Sequence, residues 1–154
     1  MILSTRINLK IGVKILITIR SGAEKDKELL KAQYTHTAPV LGDDGYLIIA
    51  EENGKIVGFL WAFKREIPAP VDRSEMFINA IEVFPEELRC QGLATQMLAG
   101  IKIIAIKESC YQLRAYCDIR NVPSHRLWVK NGYGISPIKM PDGIIVGSYV
   151  SLVL

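Results

Sequence analysis

The first third of the chain predicts a strand, a helix and a hairpin. Apolar and polar residues alternate over 13–20, as in a half-buried strand, and apolar residues recur among charged ones over 24–33, as in an amphipathic helix. Two apolar segments, 46–50 and 56–61, flank the Asn-Gly dipeptide at 53–54. This dipeptide favours a two-residue hairpin turn because both of its positions tolerate positive φ.

The middle of the chain predicts a central strand followed by helices and a further strand. The predicted strand 75–83 contains a nearly continuous apolar segment at 76–81, as in a strand covered on both faces. Apolar residues at helical spacing over 93–106 predict a long helix, and the alternation over 113–119 predicts a strand. Pro123 suits the first turn of another helix, and the Asn-Gly pair at 131–132 suits its end.

The tail completes a mixed pattern of strands and helices. Two strand-like segments, 135–139 and 144–154, surround a turn, and 34–45 is predicted to be a loop with a short helix. The order of elements predicts a mixed α/β (α+β) fold with both faces of the sheet covered. We expect one domain over 1–154, with a poorly structured extension at 1–11.

The composition excludes several classes of protein. The chain has 154 residues, of which 49% are hydrophobic and 23% charged, as in a globular domain. A net charge of +3 with scattered Lys and Arg does not indicate nucleic-acid binding. The apolar segments are too short or too interrupted for a membrane span or a signal peptide. The cysteines Cys90, Cys110 and Cys117 lack the spacing of a metal site or a disulfide framework, so we expect no metal and a cytoplasmic location.

One segment carries candidate binding chemistry. The strand 75–83 leads through a short loop to a helix that begins at Gly92. The N–H groups and the dipole at a helix start attract anions, Gly92 lets a ligand approach the backbone, and Arg89 supplies a cation. The small side chain of Ala94 keeps the next helical turn from projecting toward a ligand. The segment lacks the Lys-Ser/Thr of a triphosphate loop and the glycine spacing of a dinucleotide site, so we expect it to bind the diphosphate of another cofactor.

Two segments match a known family. Residues 89–94, Arg-Cys-Gln-Gly-Leu-Ala, resemble the Arg/Gln-x-x-Gly-x-Gly/Ala motif of the GNAT superfamily of N-acetyltransferases, which binds the pyrophosphate of acetyl-coenzyme A. One strand later, residues 121–133 are similar to the family's Asn-x-x-Ala/Ser-x-x-Leu-Tyr-x-x-x-Gly-Phe segment. The resemblance covers residues 15–154. It implies a mixed, mostly antiparallel sheet with helices on both faces, in which two central parallel strands splay apart and the pantetheine inserts between them.

The resemblance also implies a role for each matching residue. Backbone groups of Ile81 and Val83 would line the cofactor, and the N–H groups from Cys90 to Thr95 would hold its pyrophosphate. Asn121 and Ser124 would contact the pantetheine arm or the adenosine end. The cofactor-binding residues implied in this way are Ile81, Val83, Arg89, Cys90, Gln91, Gly92, Leu93, Ala94, Thr95, Asn121, Ser124 and Trp128.

Two carboxylates are candidates for the base that takes a proton from an acceptor ammonium group. Glu82 lies between Ile81 and Val83, although strand alternation turns its side chain to the opposite face unless the strand bulges there. Glu75 shares the parity of Ile81 and Val83, but it stands at the start of the strand. Of the two, we take Glu82 as the catalytic candidate.

The acid that protonates the leaving thiolate is less clearly marked. Trp128 occupies the position where the family usually has the Tyr credited with this role, and an indole N–H cannot act as an acid near neutral pH. The role passes to Tyr116, to Tyr133, to a water or to no residue. Tyr116, on the strand beside the expected splay, is the second catalytic candidate.

These observations predict an acetyl-coenzyme-A-dependent N-acetyltransferase that acts by direct attack of a primary amine. The acceptor is a small molecule or a peptide, and the loops 34–45 and 64–74 and the tail hairpin would determine which. The alternative is a non-catalytic acyl-coenzyme-A-binding regulator or sensor of the same fold, because Trp128 replaces the usual Tyr and no base is obvious. A homodimer is expected from the apolar tail strand 144–154, which would otherwise leave an exposed sheet edge.

Overall fold

The computed structural model describes residues 2–8 and 14–154. Strands and helices follow the predicted order, with an additional strand at the beginning, and they form the predicted mixed α/β fold with a mostly antiparallel sheet. The elements are β1 (Ile2–Asn8), β2 (Lys14–Ser21), α1 (Glu24–Gln33), β3 (Tyr46–Glu52), β4 (Lys55–Ile67), β5 (Arg73–Val83), α2 (Leu93–Lys107), β6 (Gln112–Asp118), α3 (Val122–Lys130), β7 (Gly134–Lys139) and β8 (Ile145–Val153), with 3₁₀ turns at Thr35–Thr37 and Glu86–Leu88.

The chain divides into two compact units, each built from two segments. The first unit contains Met1–Phe63 and Ala80–Ile101, and the second contains Lys64–Asn79 and Lys102–Leu154. Because β4, β5 and α2 contribute residues to both, neither unit is a continuous piece of the chain. A single domain over 1–154 stays a prediction. None of the helices in the described part of the chain is long and apolar enough to span a membrane.

Strands β1 to β4 of the first unit follow one another in antiparallel order. Within the segment 1–11, where a poorly structured extension is expected, residues 1 and 9–11 lie outside the described residues, and residues 2–8 form β1. Its pairs with β2 run from Ile2–Arg20 to Asn8–Lys14. Strand β3 pairs with one edge of β2. The backbone groups at the opposite edge are therefore available to an extended segment that precedes β2 in the chain, and β1 is that segment.

The hairpin β3–β4 turns at the predicted Asn-Gly dipeptide. Asn53 and Gly54 have φ values of 48° and 81°, as a primed two-residue turn requires, and Glu52 pairs with Lys55 across the turn. Strand β4 continues to Ile67, past the predicted end at residue 61. It does so because its residues keep alternating between half-buried and exposed positions beyond the buried segment.

A buried carboxylate joins α1 to the sheet of the first unit. The side chain of Asp26 is 3% exposed and accepts hydrogen bonds from Nη1 and Nη2 of Arg20 at 2.8 and 2.9 Å. It also accepts the N–H of Ala23, the residue that caps the helix, at 2.7 Å, and Arg20 donates further to Glu51 at 2.6 Å. The hydrogen bonds from Arg20 hold the pKa of Asp26 below its ordinary range, although burial acts in the opposite direction.

Asp26→Asn is expected to lower the free energy of unfolding at pH 7 by about 2–3 kcal/mol, since it leaves a partly buried guanidinium with one partner fewer. Because folding lowers the pKa of Asp26, its contribution is fully present above about pH 4 and is lost as the pH falls through the folded pKa. The stability difference between wild type and variant therefore shrinks in acid. Urea denaturation at pH 7 and in acid measures it, with Glu28→Gln at an exposed position of α1 as the control. A difference that does not change with pH would contradict the assignment.

The second unit contains a short parallel pair and an antiparallel tail. Its strand order is β5-β6-β8-β7, and the parallel pairs of β5 with β6 run from Glu75–Gln112 to Ile78–Ala115. The expectation that the tail strand leaves an exposed edge is wrong. Strand β8 pairs with β6 on one side and with β7 on the other, because the turn after Lys139 folds β7 back against it. The homodimer was inferred from this exposed edge, and without the edge it stays a prediction.

The apolar segments singled out in the sequence supply much of the buried interior. Met76, Phe77 and Ile78 of β5 are all buried, as expected for a strand covered on both faces. One face of α2 is buried at the predicted helical spacing by Leu93, Met97, Ile101 and Ala105, each at most 1% exposed. Since Leu93 is the first residue of α2, its burial fixes where the helix begins, immediately after Gly92.

Candidate functional site

The loop between β5 and α2 brings its backbone to the surface at Gly92. Leu88 of the 3₁₀ turn is buried and anchors the loop, after which Cys90 and Gly92 both adopt left-handed backbone conformations, with φ values of 59° and 86°. A Cβ built on Gly92 would meet no described atom within 4 Å. A ligand can therefore approach the backbone at this position.

The first turn of α2 follows directly. Its first helical hydrogen bond joins the N–H of Gln96 to the carbonyl of Gly92 at 3.1 Å. The N–H groups of Leu93 and Ala94 precede this bond, and helix geometry provides them with no carbonyl four residues back inside the helix. The first turn of α2 carries no acidic side chain. The helix start thus combines N–H donors with the positive end of the helix dipole, which is the arrangement that binds anions.

Arg89 adds a permanent positive charge to this loop. Its side chain is exposed, and its Nε donates to the carbonyl oxygen of Val83 at 3.1 Å, with Nη2 lying 3.5 Å from that of Phe84. The guanidinium therefore links the loop to the end of β5 and the residue that follows it. A guanidinium has five N–H donors, so these two contacts leave donors for an anion.

The end of β5 carries a carboxylate that contacts a histidine. Nε2 of His36 lies 2.9 Å from Oε2 of Glu82, and the two side chains are 61% and 36% exposed. The next residue on the same face, Phe84, stacks its ring on that of Tyr34 with 3.7 Å between the centroids. Glu82 and Phe84 thus both contact the segment that follows α1. The sequence expectation that the side chain of Glu82 faces away from Ile81 and Val83 stays a prediction.

Sequence reasoning missed His36 as a partner of Glu82. No motif or spacing relates residue 36 to residue 82, because the contact joins segments that are distant in the chain. The only available signal was that His36 lies in the loop 34–45, where acceptor recognition was expected.

Glu75, the other candidate base, is enclosed by hydrogen-bond donors. Its side chain is 2% exposed and accepts from Nε of Arg65 and from Nε2 of Gln112, both at 2.6 Å. The guanidinium of Arg114 lies 4.0 Å away. A carboxylate that is buried and held in this way stabilises the second unit, whereas the side chain of Glu82 is 36% exposed.

Tyr116, the second catalytic candidate, lies on β6 and is 47% exposed. Its hydroxyl lies 3.5 Å from the carbonyl of Val146, and its ring meets that of Tyr149 edge to face at 6.4 Å. Gly147 makes room for this placement, because a Cβ there would come within 2.7 Å of the Tyr116 hydroxyl. The hydroxyl is thus held by one long contact. Burial raises the pKa of Tyr133, the other candidate acid, which makes it a weaker proton donor.

Asn121, Ser124 and Trp128 form one hydrogen-bonded chain at the start of α3. Oδ1 of Asn121 accepts the N–H of Ser124 at 3.1 Å and caps the helix, and Oγ of Ser124 accepts from Nε1 of Trp128 at 2.9 Å. Trp128 is 2% exposed and meets the ring of Tyr133 edge to face at 4.9 Å. All three residues have a structural role within the second unit. Their contact with a cofactor stays a prediction.

The turn before α3 is held by an exposed pair. Oδ1 of Asp118 accepts the backbone N–H of Arg120 at 2.8 Å, and both carboxylate oxygens accept from its guanidinium at 3.0 Å. These hydrogen bonds lower the pKa of Asp118 to about 2. Asp118 therefore stays ionised and shapes the turn that presents Asn121. Within residues 2–8 and 14–154, no group of three or more His, Cys, Asp or Glu side chains is placed to hold a metal ion.

Trp128→Phe is expected to lower the free energy of unfolding by about 1–2 kcal/mol, because it removes a buried hydrogen bond and part of a buried ring. Ser124→Ala keeps the indole but leaves its buried N–H without this acceptor, so it should also lower the free energy of unfolding by about 1–2 kcal/mol. Urea denaturation of both variants measures the losses. An unchanged stability in Ser124→Ala would mean that this hydrogen bond contributes nothing to folding.

Comparison with known proteins agrees with these features. The family model described as "Acetyltransferase (GNAT) family" matches residues 15–133. No curated protein matches the chain significantly. Among solved structures, the IAA acetyltransferase from Bacillus cereus ATCC 14579 is 18% identical with a TM-score of 0.66, and the similarity covers 90% of this chain and 99% of that one.

Two further structures have the same fold. A GNAT family acetyltransferase from Elizabethkingia anophelis with acetyl-CoA bound is 21% identical with a TM-score of 0.59, covering 90% of this chain and 98% of that one. The ribosomal-protein-S18-alanine N-acetyltransferase from Escherichia coli is 19% identical with a TM-score of 0.64, covering 89% and 93%. Since the family model spans more than half of the chain and includes both motifs, the protein belongs to the GNAT acetyltransferase family.

Proposed function

We propose that the protein transfers an acetyl group from acetyl-coenzyme A to a primary amine, by direct attack of the amine nitrogen on the thioester carbonyl. The observation that carries the proposal is the open backbone at Gly92 followed by the start of α2, with Arg89 beside it. This arrangement suits a pyrophosphate group. Membership of the family supports acetyl transfer, and the structure from Elizabethkingia anophelis has acetyl-CoA bound.

In this proposal the cofactor is bound mainly by the backbone. The N–H groups from Cys90 to Thr95 donate to the pyrophosphate, and Arg89 neutralises part of its charge. Backbone groups of Ile81 and Val83 bind the pantetheine region. Asn121, Ser124 and Trp128 complete the proposed cofactor-binding residues.

Glu82 acts as the general base. Its carboxylate takes a proton from the acceptor ammonium, and the freed nitrogen lone pair attacks the thioester carbonyl carbon. The tetrahedral intermediate collapses with cleavage of the carbon–sulfur bond, and its nitrogen loses a second proton, which gives the amide and the coenzyme A thiolate. The thiolate takes a proton from the hydroxyl of Tyr116 or from water, and the proton released by the nitrogen restores that donor. The 36% exposure of Glu82 supports the proposal, because an acceptor can reach it from solvent.

The acceptor is a small molecule or a peptide that carries an amine. Proteins of the same fold support a peptide as one class: Arabidopsis thaliana Naa50 forms a complex with the bisubstrate analogue CoA-Ac-MVNAL, and the Escherichia coli protein is the ribosomal-protein-S18-alanine N-acetyltransferase. A cytoplasmic location belongs to the same proposal, and the free thiols of Cys90, Cys110 and Cys117 support it.

A thiol-release assay with acetyl-coenzyme A and a panel of amines, peptides and aminoglycosides tests this function. We expect release of coenzyme A with at least one acceptor, and binding of coenzyme A in isothermal titration calorimetry. A non-catalytic sensor, the second candidate, would bind coenzyme A and release no thiol with any acceptor. Absence of coenzyme A binding to the folded protein would overturn both.

A further inference from the structure

His36 belongs to a short 3₁₀ turn that is fixed against the end of β5. Thr37 of this turn is fully buried, and its Oγ1 donates to the carbonyl oxygen of Tyr34 at 2.8 Å. The ring of Tyr34 stacks on Phe84 with an interplanar angle of 6°, and Phe84 also packs near Phe59 of the core at 5.8 Å. The turn is therefore held by buried contacts on both sides of His36, although His36 itself is exposed.

Aromatic rings also restrict the imidazole of His36. It meets the ring of Phe84 edge to face at 6.5 Å and the ring of Tyr34 edge to face at 6.3 Å. Its Nε2 then lies at hydrogen-bonding distance from a single carboxylate oxygen, Oε2 of Glu82. The imidazole therefore meets Glu82 from a turn that the contacts of Tyr34 and Thr37 hold in place.

Stability does not account for this arrangement. An exposed pair contributes little to folding stability, and these two side chains are 61% and 36% exposed. A glutamate side chain has many rotamers, and holding it in one of them matters where a carboxylate must meet a reacting proton. Of the two residues, only Glu82 already has a role in the proposed reaction, as the general base.

We propose that His36 is the positioning residue for Glu82, an inference that rests on the proposed function. With the proton on Nε2, the imidazole donates to Oε2 and fixes the rotamer of the carboxylate. This leaves Oε1 to accept the proton of the acceptor ammonium. His36 touches neither the acceptor nor the cofactor in this role, and it acts only through Glu82.

The role predicts how substitutions at the two positions combine. His36→Leu is expected to lower kcat by about tenfold, while the dissociation constant for coenzyme A stays unchanged. His36→Gln keeps an N–H donor with a similar reach and should retain most of the activity. In a Glu82→Gln background, His36→Leu should cause no further loss, because its effect passes through the carboxylate. Additive losses, or equal losses for Leu and Gln, would overturn the inference.

A second measurement tests the His36–Glu82 contact without requiring acetyl transfer. In NMR spectra that correlate imidazole nitrogens with their ring protons, the Nε2 signal of His36 should shift in Glu82→Gln and stay in place in Glu28→Gln, an exposed carboxylate of α1. An unchanged signal in Glu82→Gln would overturn the inference. If the wild-type protein transfers no acetyl group to any acceptor while this signal does shift, the proposed function fails and the His36–Glu82 contact stands.

Discussion

Gly92→Glu is expected to weaken the binding of coenzyme A by at least about 100-fold while the protein stays folded. The new side chain does not collide with the protein, since a Cβ at this position meets no described atom within 4 Å. It places a carboxylate where the pyrophosphate of the cofactor is proposed to bind, at the positive end of α2. Loss of the charge-assisted hydrogen bonds to the pyrophosphate accounts for about 3 kcal/mol, which corresponds to this factor.

The chain contains a matched control for this variant. Gly54 in the β3–β4 turn has a φ of 81°, close to the 86° of Gly92, and a Cβ there also meets no described atom within 4 Å. A side chain in this left-handed conformation costs about 1–2 kcal/mol at either position. Gly54→Glu should therefore lose as much stability as Gly92→Glu in urea denaturation and bind coenzyme A normally in calorimetry. Equal losses of binding in the two variants would exclude Gly92 from the site.

Glu82→Gln is expected to reduce kcat by about 100- to 1000-fold and to leave the dissociation constant of coenzyme A unchanged. The amide has the shape of the carboxylate but does not accept the proton of the acceptor ammonium, and general-base catalysis contributes a factor of this size. Steady-state thiol release with the best acceptor measures kcat, and calorimetry measures the binding of coenzyme A.

Glu28→Gln is the control for this substitution, because it removes an exposed carboxylate of α1 in the same unit. It should change neither quantity. An unchanged kcat in Glu82→Gln would show that another group or water takes the proton. Glu75 is a poor substitute, because it is 2% exposed and already held by Arg65 and Gln112.

Elements that are predicted from short stretches of sequence agree well with the structure. Helix α1 has the predicted bounds, since its amphipathic pattern lies within a few turns of chain. The hairpin turns at Asn53 and Gly54, where both residues have the positive φ that the dipeptide favours. Asn121 caps α3 through the N–H of Ser124, a contact between residues three apart. In each case the interacting groups are neighbours in the chain, so the pattern contains the physical cause.

Features that depend on contacts between distant segments could not be predicted from the sequence. The tail strand β8 was expected at an edge, but its partners β6 and β7 enclose it. Nothing in the apolar pattern of a strand specifies how many neighbours it has, because an inner strand and an edge strand can both be apolar. Strand β1 was likewise missed, since its backbone pairing with β2 does not require a distinctive pattern of side chains.

Motifs and patterns within short stretches of the sequence were enough to predict the family, the order of elements from β2 onward and the candidate cofactor loop at 89–95. The surroundings of the two candidate bases follow from the tertiary structure alone. It buries Glu75 beneath Arg65 and sets Glu82 against His36, a residue of a different segment. The reactivity of a carboxylate depends on which groups folding brings within about 3 Å of it, and chain spacing does not encode those distances.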